Sequence, residues 1–300
     1  MKRRTVLTGI AAVGAMAGCS TLGPTARARL GETGWPSDEA WQDLSHAVSG
    51  RLNAVSVPVL DPAAAPSFYY GNPIWIGDQP ALTQASGWVG AWTSAPSAYA
   101  IHAESAADVS AAVKFAARHR VRLVVKGGGH SYMGGSSAPD SLLVWTRGLQ
   151  SIDVHDAFVP QGSTANPTPA VSVGAGCIWG RVYDAVTTKH GRYVQGGGCT
   201  TVGVAGLVQG GGFGSFSKGF GLAAASLLEA EIVTADGEIR VVNDTKEPEL
   251  FWALRGGGGG TFGVVTRLTL KTHTLPAFVG AANLGVAAKT DEAFRTLVAR

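Results

Sequence analysis

Glycine is bunched along this chain, at 127–129, 196–198, 210–212 and 256–260. The first bunch follows directly on Val121 to Val125, a run that reads as a buried strand. Backbone without side chains just past a strand can turn with its N–H groups pointing inward, which makes a nest for a pyrophosphate. A flat ligand could lie against the small-residue stretches that follow at 200–203 and 206–214. The 42 glycines among 300 residues have no three-residue period, which excludes collagen. Charged residues are 15% and apolar residues 45%, so the chain is no disordered polyelectrolyte and can build a core for one or two domains. Its 24 Lys and Arg against 21 Asp and Glu leave a net charge of +3, scattered rather than clustered, which gives no footprint for nucleic acid.

The N-terminus reads as an address. Lys2-Arg3-Arg4 precedes an apolar and small-residue run, Thr5 to Gly18. That run is shorter than the roughly 18–20 residues that a spanning helix needs. Arg3-Arg4 with Thr5-Val6-Leu7 looks like a twin-arginine export signal, and Met16-Ala17-Gly18-Cys19 like a lipobox, so residues 1–19 predict an extracytoplasmic, lipid-anchored protein. The alternative is an ordinary secretory signal with an incidental cysteine. Residues 20–91 read as a tether, a helix over 37–52 capped by Ser37, and a proline-broken irregular segment.

A regular α/β rhythm runs through 92–275. Strands are expected at Tyr99–Ala103, Val121–Val125, Ser141–Trp145 and Ala170–Val173. Ser105 and Asp108 propose a capping box for a helix bearing Val109, Ala112, Val113 and Ala116. Trp179, Val182, Tyr183 and Val186 mark a second helix, and Asp236-Gly237 a hairpin. The alternation from Val264 to Lys271 predicts a half-buried strand. Residues 290–300 look helical without a stop signal, as though the chain ended inside an element.

Familiar nucleotide motifs fail on context. Gly258 to Gly263 matches GxGxxG but runs into a strand, whereas a dinucleotide fingerprint must open a helix. No P-loop is present. Gly129-His130-Ser131-Tyr132-Met133 approaches a nucleophile elbow around Ser131, with Met133 in place of the final glycine. His130 and Cys199 end the two glycine nests. Cys177 heads a helical stretch, and no Cys/His spacing suggests a metal site. His102, His119, His155 and His273 look like strand-end or surface residues.

Taken together, Lys126-Gly-Gly-Gly-His-Ser-Tyr and Gly-Gly-Cys199-Thr-Thr-Val-Gly-Val-Ala-Gly resemble the berberine bridge enzyme-like branch of the vanillyl-alcohol oxidase / p-cresol methylhydroxylase flavoproteins. The likeness continues in order through Gly210-Gly-Gly-Phe-Gly, Glu231-Ile-Val-Thr-Ala-Asp-Gly, Leu250-Phe-Trp-Ala-Leu-Arg-Gly-Gly and Phe262-Gly-Val-Val-Thr. It implies an α+β fold: an FAD-binding domain of two α/β subdomains over 92–275, then the beginning of a substrate domain at 276–300.

The resemblance further implies FAD bonded at its 8α-methyl to His130 and at C6 to Cys199. Lys126, Gly127, Gly128, Gly129 and Ser131 would surround it on one side. Gly198, Thr201, Val202, Gly203 and Gly206 would do so on the other, with Gly212, Gly214, Ile232 and Val233 beyond. Tyr132 matches a substrate-contacting tyrosine, and Val202 a position that gates oxygen. Thr200 and Leu207 depart from a proline and a histidine common at those places, and neither removes an anchor. The implied function is hydride transfer from an alcohol or sugar hydroxyl to the flavin, with dioxygen reduced to hydrogen peroxide and the catalytic tyrosine base beyond Arg300. Alternatives are a flavin dehydrogenase with another acceptor, an inactive flavin-binding fragment, and a serine hydrolase at Ser131.

Overall fold

A computed structural model describes residues 27–59, 66–87, 90–277, 280, 282–283 and 285–299, so the segment expected to be an export signal with a lipobox lies outside the described residues. The chain forms two units: residues up to Gly148 with Val233–Ile239, and Leu149–Ile232 with Arg240 onward.

In the first unit, α1 (Asp38–Ala47) starts where Ser37 accepts from the Ala40 amide at 3.3 Å. Its Trp41 is buried, stacks on Tyr99 at 4.2 Å and meets Phe115 at 4.7 Å. Strand β1 (Leu52–Ala54) follows, then α2 (Pro66–Tyr70) and α3 (Pro73–Gly77). Here the prolines open short helices, since a first-turn proline sacrifices no helical hydrogen bond. Strand β2 (Tyr99–His102) leads into α4 (Ala106–His119) through the expected box: Asp108 N donates to Ser105 Oγ at 3.2 Å and Ser105 N to Asp108 Oδ2 at 3.0 Å. Strands β3 (Arg122–Lys126) and β4 (Ser141–Trp145) complete a sheet of order β1-β2-β4-β3, parallel except for β1.

The second unit holds β5 (Ile152–Phe158), β6 (Thr168–Gly174), α5 (Trp179–Tyr183), β7 (Arg192–Val194), α6 (Val204–Gln209) and α7 (Ser217–Phe220). The hairpin of β8 (Leu227–Val233) and β9 (Ile239–Asn243) follows, then α8 (Pro248–Leu254), β10 (Val264–Thr274) and α9 (Asp291–Val298). The sheet order is β5-β6-β10-β8-β9, with β7 also pairing β10. Its core gathers Trp179, Ile232, Phe251, Leu268 and Leu270, all essentially inaccessible.

Two expectations change. Strand β10 is buried on both faces over most of its length, because it lies in the middle of the sheet. Its polar residues are paired accordingly: Thr266 Oγ1 donates to Glu231 Oε1 at 2.7 Å, and Thr269 shares a 2.8 Å hydrogen bond with Ser172. The helix begun by Trp179 loosens into a π turn at Asp184–Thr188 before Gly191. His273 stands at the end of β10, as expected, and packs on Phe220 at 4.9 Å with Nε2 buried. Cys177 is a buried free thiol and Cys199 an exposed one.

Candidate functional site

Strand β3 ends at Lys126, in register with Trp145 of parallel β4. The loop that follows therefore leaves from the carboxyl end of a parallel strand, where open α/β sheets place their ligands. Gly129 takes φ +76°, which a side chain would strain, and its carbonyl oxygen accepts from the Gln84 amide at 2.9 Å. His130 comes next and is half-buried. Tyr132 and Met133 are 65% and 89% exposed. Trp92 Nε1 donates to the Tyr132 carbonyl at 2.9 Å and braces this turn.

The Lys126 side chain is 1% exposed. Its Nζ donates to the carbonyl oxygens of Gln79, Pro80 and Leu82 at 2.8, 2.7 and 2.9 Å, so its part is to hold the 79–82 segment against the root of the loop. Burial pushes the ammonium down to about 7, and the three carbonyls oppose this because they accept best from the charged form. Ser131 Oγ accepts from the Gly135 amide at 3.0 Å and closes a turn. Turns and bends, not a helix, follow Ser131, so the hydrolase alternative lacks the strand–turn–helix context it needs.

In the second unit β7 runs through Gln195 into Gly196. A Cβ on Gly196 would sit 2.6 Å from the Trp179 ring and 2.6 Å from the Tyr183 hydroxyl, so glycine alone lets the backbone cross these rings. The Tyr183 hydroxyl donates to the Gly197 carbonyl, and burial raises its phenol so that it stays a neutral donor. Gly198 and Gly206 are different, since a Cβ at either would meet nothing within 4 Å. Exposed Cys199 lies beside that open backbone, with Sγ 3.5 Å from Oγ1 of buried Thr201. Hydrogen bonds from the Thr201 hydroxyl and amide, with a smaller one from the Val202 amide, hold the Cys199 thiol below its ordinary value against the opposing effect of burial.

The turn itself is anchored. Gly180 N donates to the Thr200 carbonyl at 2.8 Å and Trp179 N to the Val202 carbonyl at 3.0 Å. Val202 packs half-buried on the core, Gly203 is buried, and α6 begins immediately after. Gly214 donates to Ser217 Oγ at 2.8 Å, and a Cβ there would meet the Gly196 carbonyl at 2.0 Å. Gly212 is half-buried in the same loop. Ile232 and Val233 are 0% exposed. The 256–260 glycines run beside α6, where Gly258 N donates to the Gln209 carbonyl at 2.9 Å, and then enter β10.

Sequence reasoning missed the supports beneath these loops. Gln195, entirely buried, accepts from the Tyr193 hydroxyl and donates to Ser217 Oγ at 2.9 Å. A lone amide before the glycine triplet was the available signal. Trp179 and Tyr183 read only as a helix stripe, and nothing local marked Gln79 to Leu82.

Two side-chain-free loops, one ending in an imidazole and one in an acidified thiol, on mixed α/β units are features of a flavin-binding domain. Residues 97–243 match the FAD binding domain family. An FAD-linked oxidoreductase of Arthroderma otae is 41% identical over 279 residues, 82% of this chain and 45% of that protein. A VAO-type flavoprotein of Myceliophthora thermophila superposes with TM-score 0.74 at 32% identity, over 83% of this chain and 50% of that one. Glucooligosaccharide oxidase of Acremonium strictum, described with a 6-S-cysteinyl, 8α-N1-histidyl FAD, has TM-score 0.54 and 31% identity, over 61% of this chain and 36% of its own. The chain belongs to the FAD-linked oxidoreductase family with the VAO-type, berberine bridge enzyme-like flavin domain. It spans about half the length of the curated relatives it matches.

Proposed function

We propose that this chain is the flavin-binding part of an oxidase that takes hydride from an alcohol or sugar hydroxyl, with FAD bonded to His130 and Cys199. The observation that carries the reading is Cys199: an exposed, acidified thiol beside backbone that is open at Gly198 and Gly206. A cradle without side chains, bordered by a thiol competent as a nucleophile, fits a flat cofactor. Once bound, FAD supplies a hydride acceptor. Gly129 turns the backbone so that His130 leads the first loop, and Tyr132, projecting into solvent, contacts the substrate. Val202, small and half-buried, leaves oxygen a path, which favours dioxygen over another acceptor. Residues from 276 onward begin the substrate domain.

Acid denaturation and tryptic mass spectrometry test the anchors. Flavin mass is expected on both the His130 and Cys199 peptides, and flavin released wholly by acid overturns the double link. For the reaction, a panel of sugars and alcohols is read with an oxygen electrode. Turnover with an artificial acceptor but no oxygen uptake would make the protein a dehydrogenase. Export by the twin-arginine route and lipidation at Cys19 complete the proposal. Lysines at Arg3 and Arg4 should trap the precursor in the cytoplasm, and Cys19→Ala should leave export intact while abolishing membrane attachment.

A further inference from the structure

We propose that Thr201 is the positioning residue that readies Cys199 for bond formation, its hydroxyl donating to the sulfur. A hydroxyl that donates to a sulfur favours the thiolate over the thiol there. The Sγ–Oγ1 separation is 3.5 Å, and Thr201 is 6% exposed, so the hydroxyl is held by its surroundings. The carbonyls of the same turn are occupied elsewhere. Thr200 and Val202 accept from the first amides of α5, and Cys199 accepts from Val202 N at 3.4 Å. The causes acting on the thiol are its hydrogen bonds and burial, with no charged neighbour among them. Cys177 supplies the contrast, because its buried thiol donates to the Ser151 carbonyl at 3.5 Å.

This inference rests on the proposed Cys199 link. Forming the S–C6 bond removes the sulfur proton, the C6 hydrogen and two electrons, which dioxygen accepts as hydrogen peroxide. Thr201 acts only on the first of these, loss of the proton to solvent. The full chain is produced as wild type, Thr201→Val and Thr201→Ser, and flavin occupancy of each peptide is read by mass spectrometry. Valine should lower occupancy at Cys199 several-fold while His130 keeps its flavin, and serine should restore it. Equal occupancy in valine and wild type overturns the proposal, and so does loss at both peptides, which marks a merely structural role. If wild-type Cys199 carries no flavin, the link fails but Thr201 is still tested. Iodoacetamide is then used, the sulfur displacing iodide, with Cys177 as the buried control. Cys199 should react at lower pH in wild type and Thr201→Ser than in Thr201→Val, and coincident profiles overturn the role.

Discussion

Lys126 Nζ lies 2.7 Å from the carbonyl oxygen of Pro80, and two further carbonyls complete its shell. The lysine that opens the histidine loop is thus a clamp. Its main-chain oxygen is also held, by Thr146 Oγ1 at 3.2 Å. Lys126→Met leaves three acceptors without a donor, offset in part by removing a buried charge. The expected net loss is about 2 kcal/mol. Denaturant unfolding should show a lower midpoint at unchanged slope, and a variant as stable as wild type would remove the clamp.

Asp108 contributes a pH dependence. Burial alone would raise its carboxyl, but the Arg51 guanidinium, the Glu104 amide and the Ser105 hydroxyl outweigh it and bring the carboxyl below its ordinary 3.8. The unfolded chain therefore takes up the proton first. The contribution is complete well above 3.8 and is lost as pH falls through that value toward the folded one. Asp108→Asn should cost about 2 kcal/mol at neutral pH and flatten the acid limb of the stability curve. Parallel acid limbs in the two proteins would contradict this.

The glycine triplet before Cys199 should tolerate alanine unevenly. Gly196→Ala forces a Cβ against the Trp179 ring and the Tyr183 hydroxyl, each at 2.6 Å, with an expected loss of about 1–3 kcal/mol. Gly198→Ala meets open space and should leave stability within about 0.5 kcal/mol of wild type. Thermal melts of the two variants measured side by side decide it, and equal melting points would count against the ring contacts.

Asn243 is the hub of a buried polar cluster in the second unit. Its Nδ2 donates to Glu229 Oε2 and the Gln161 carbonyl, both at 3.0 Å, and its Oδ1 accepts from the amides of Thr245 and Lys246 at 2.9 and 2.8 Å. Asn243→Leu takes one of two donors from the Glu229 carboxylate, which keeps the Gln161 amide at 2.6 Å, and leaves two amides without their acceptor, for an expected loss of about 3 kcal/mol. Glu229→Gln in that background should recover part of the loss, and no recovery would show that the carboxylate is not what suffers.

The sequence alone determined what neighbours along the chain decide. Ser37 and Ser105 cap their helices because each bonds an amide three residues on, and the Asp236-Gly237 hairpin forms where it was expected. The two glycine loops and the His130 and Cys199 that end them were legible for the same reason, since glycine's freedom and a following side chain are local facts. Tertiary structure alone decided what lies beneath them. Lys126 meets its acceptors 44 to 47 residues away, and Gln195 meets Ser217 22 residues on. Strand β10 lost its exposed face for the same cause: a central position is set by which strands pair with it, and the residues of one strand cannot specify that. Local interactions select turns and caps, whereas buried polar groups take whichever partner the fold delivers, because leaving them unpaired costs more than any local preference supplies.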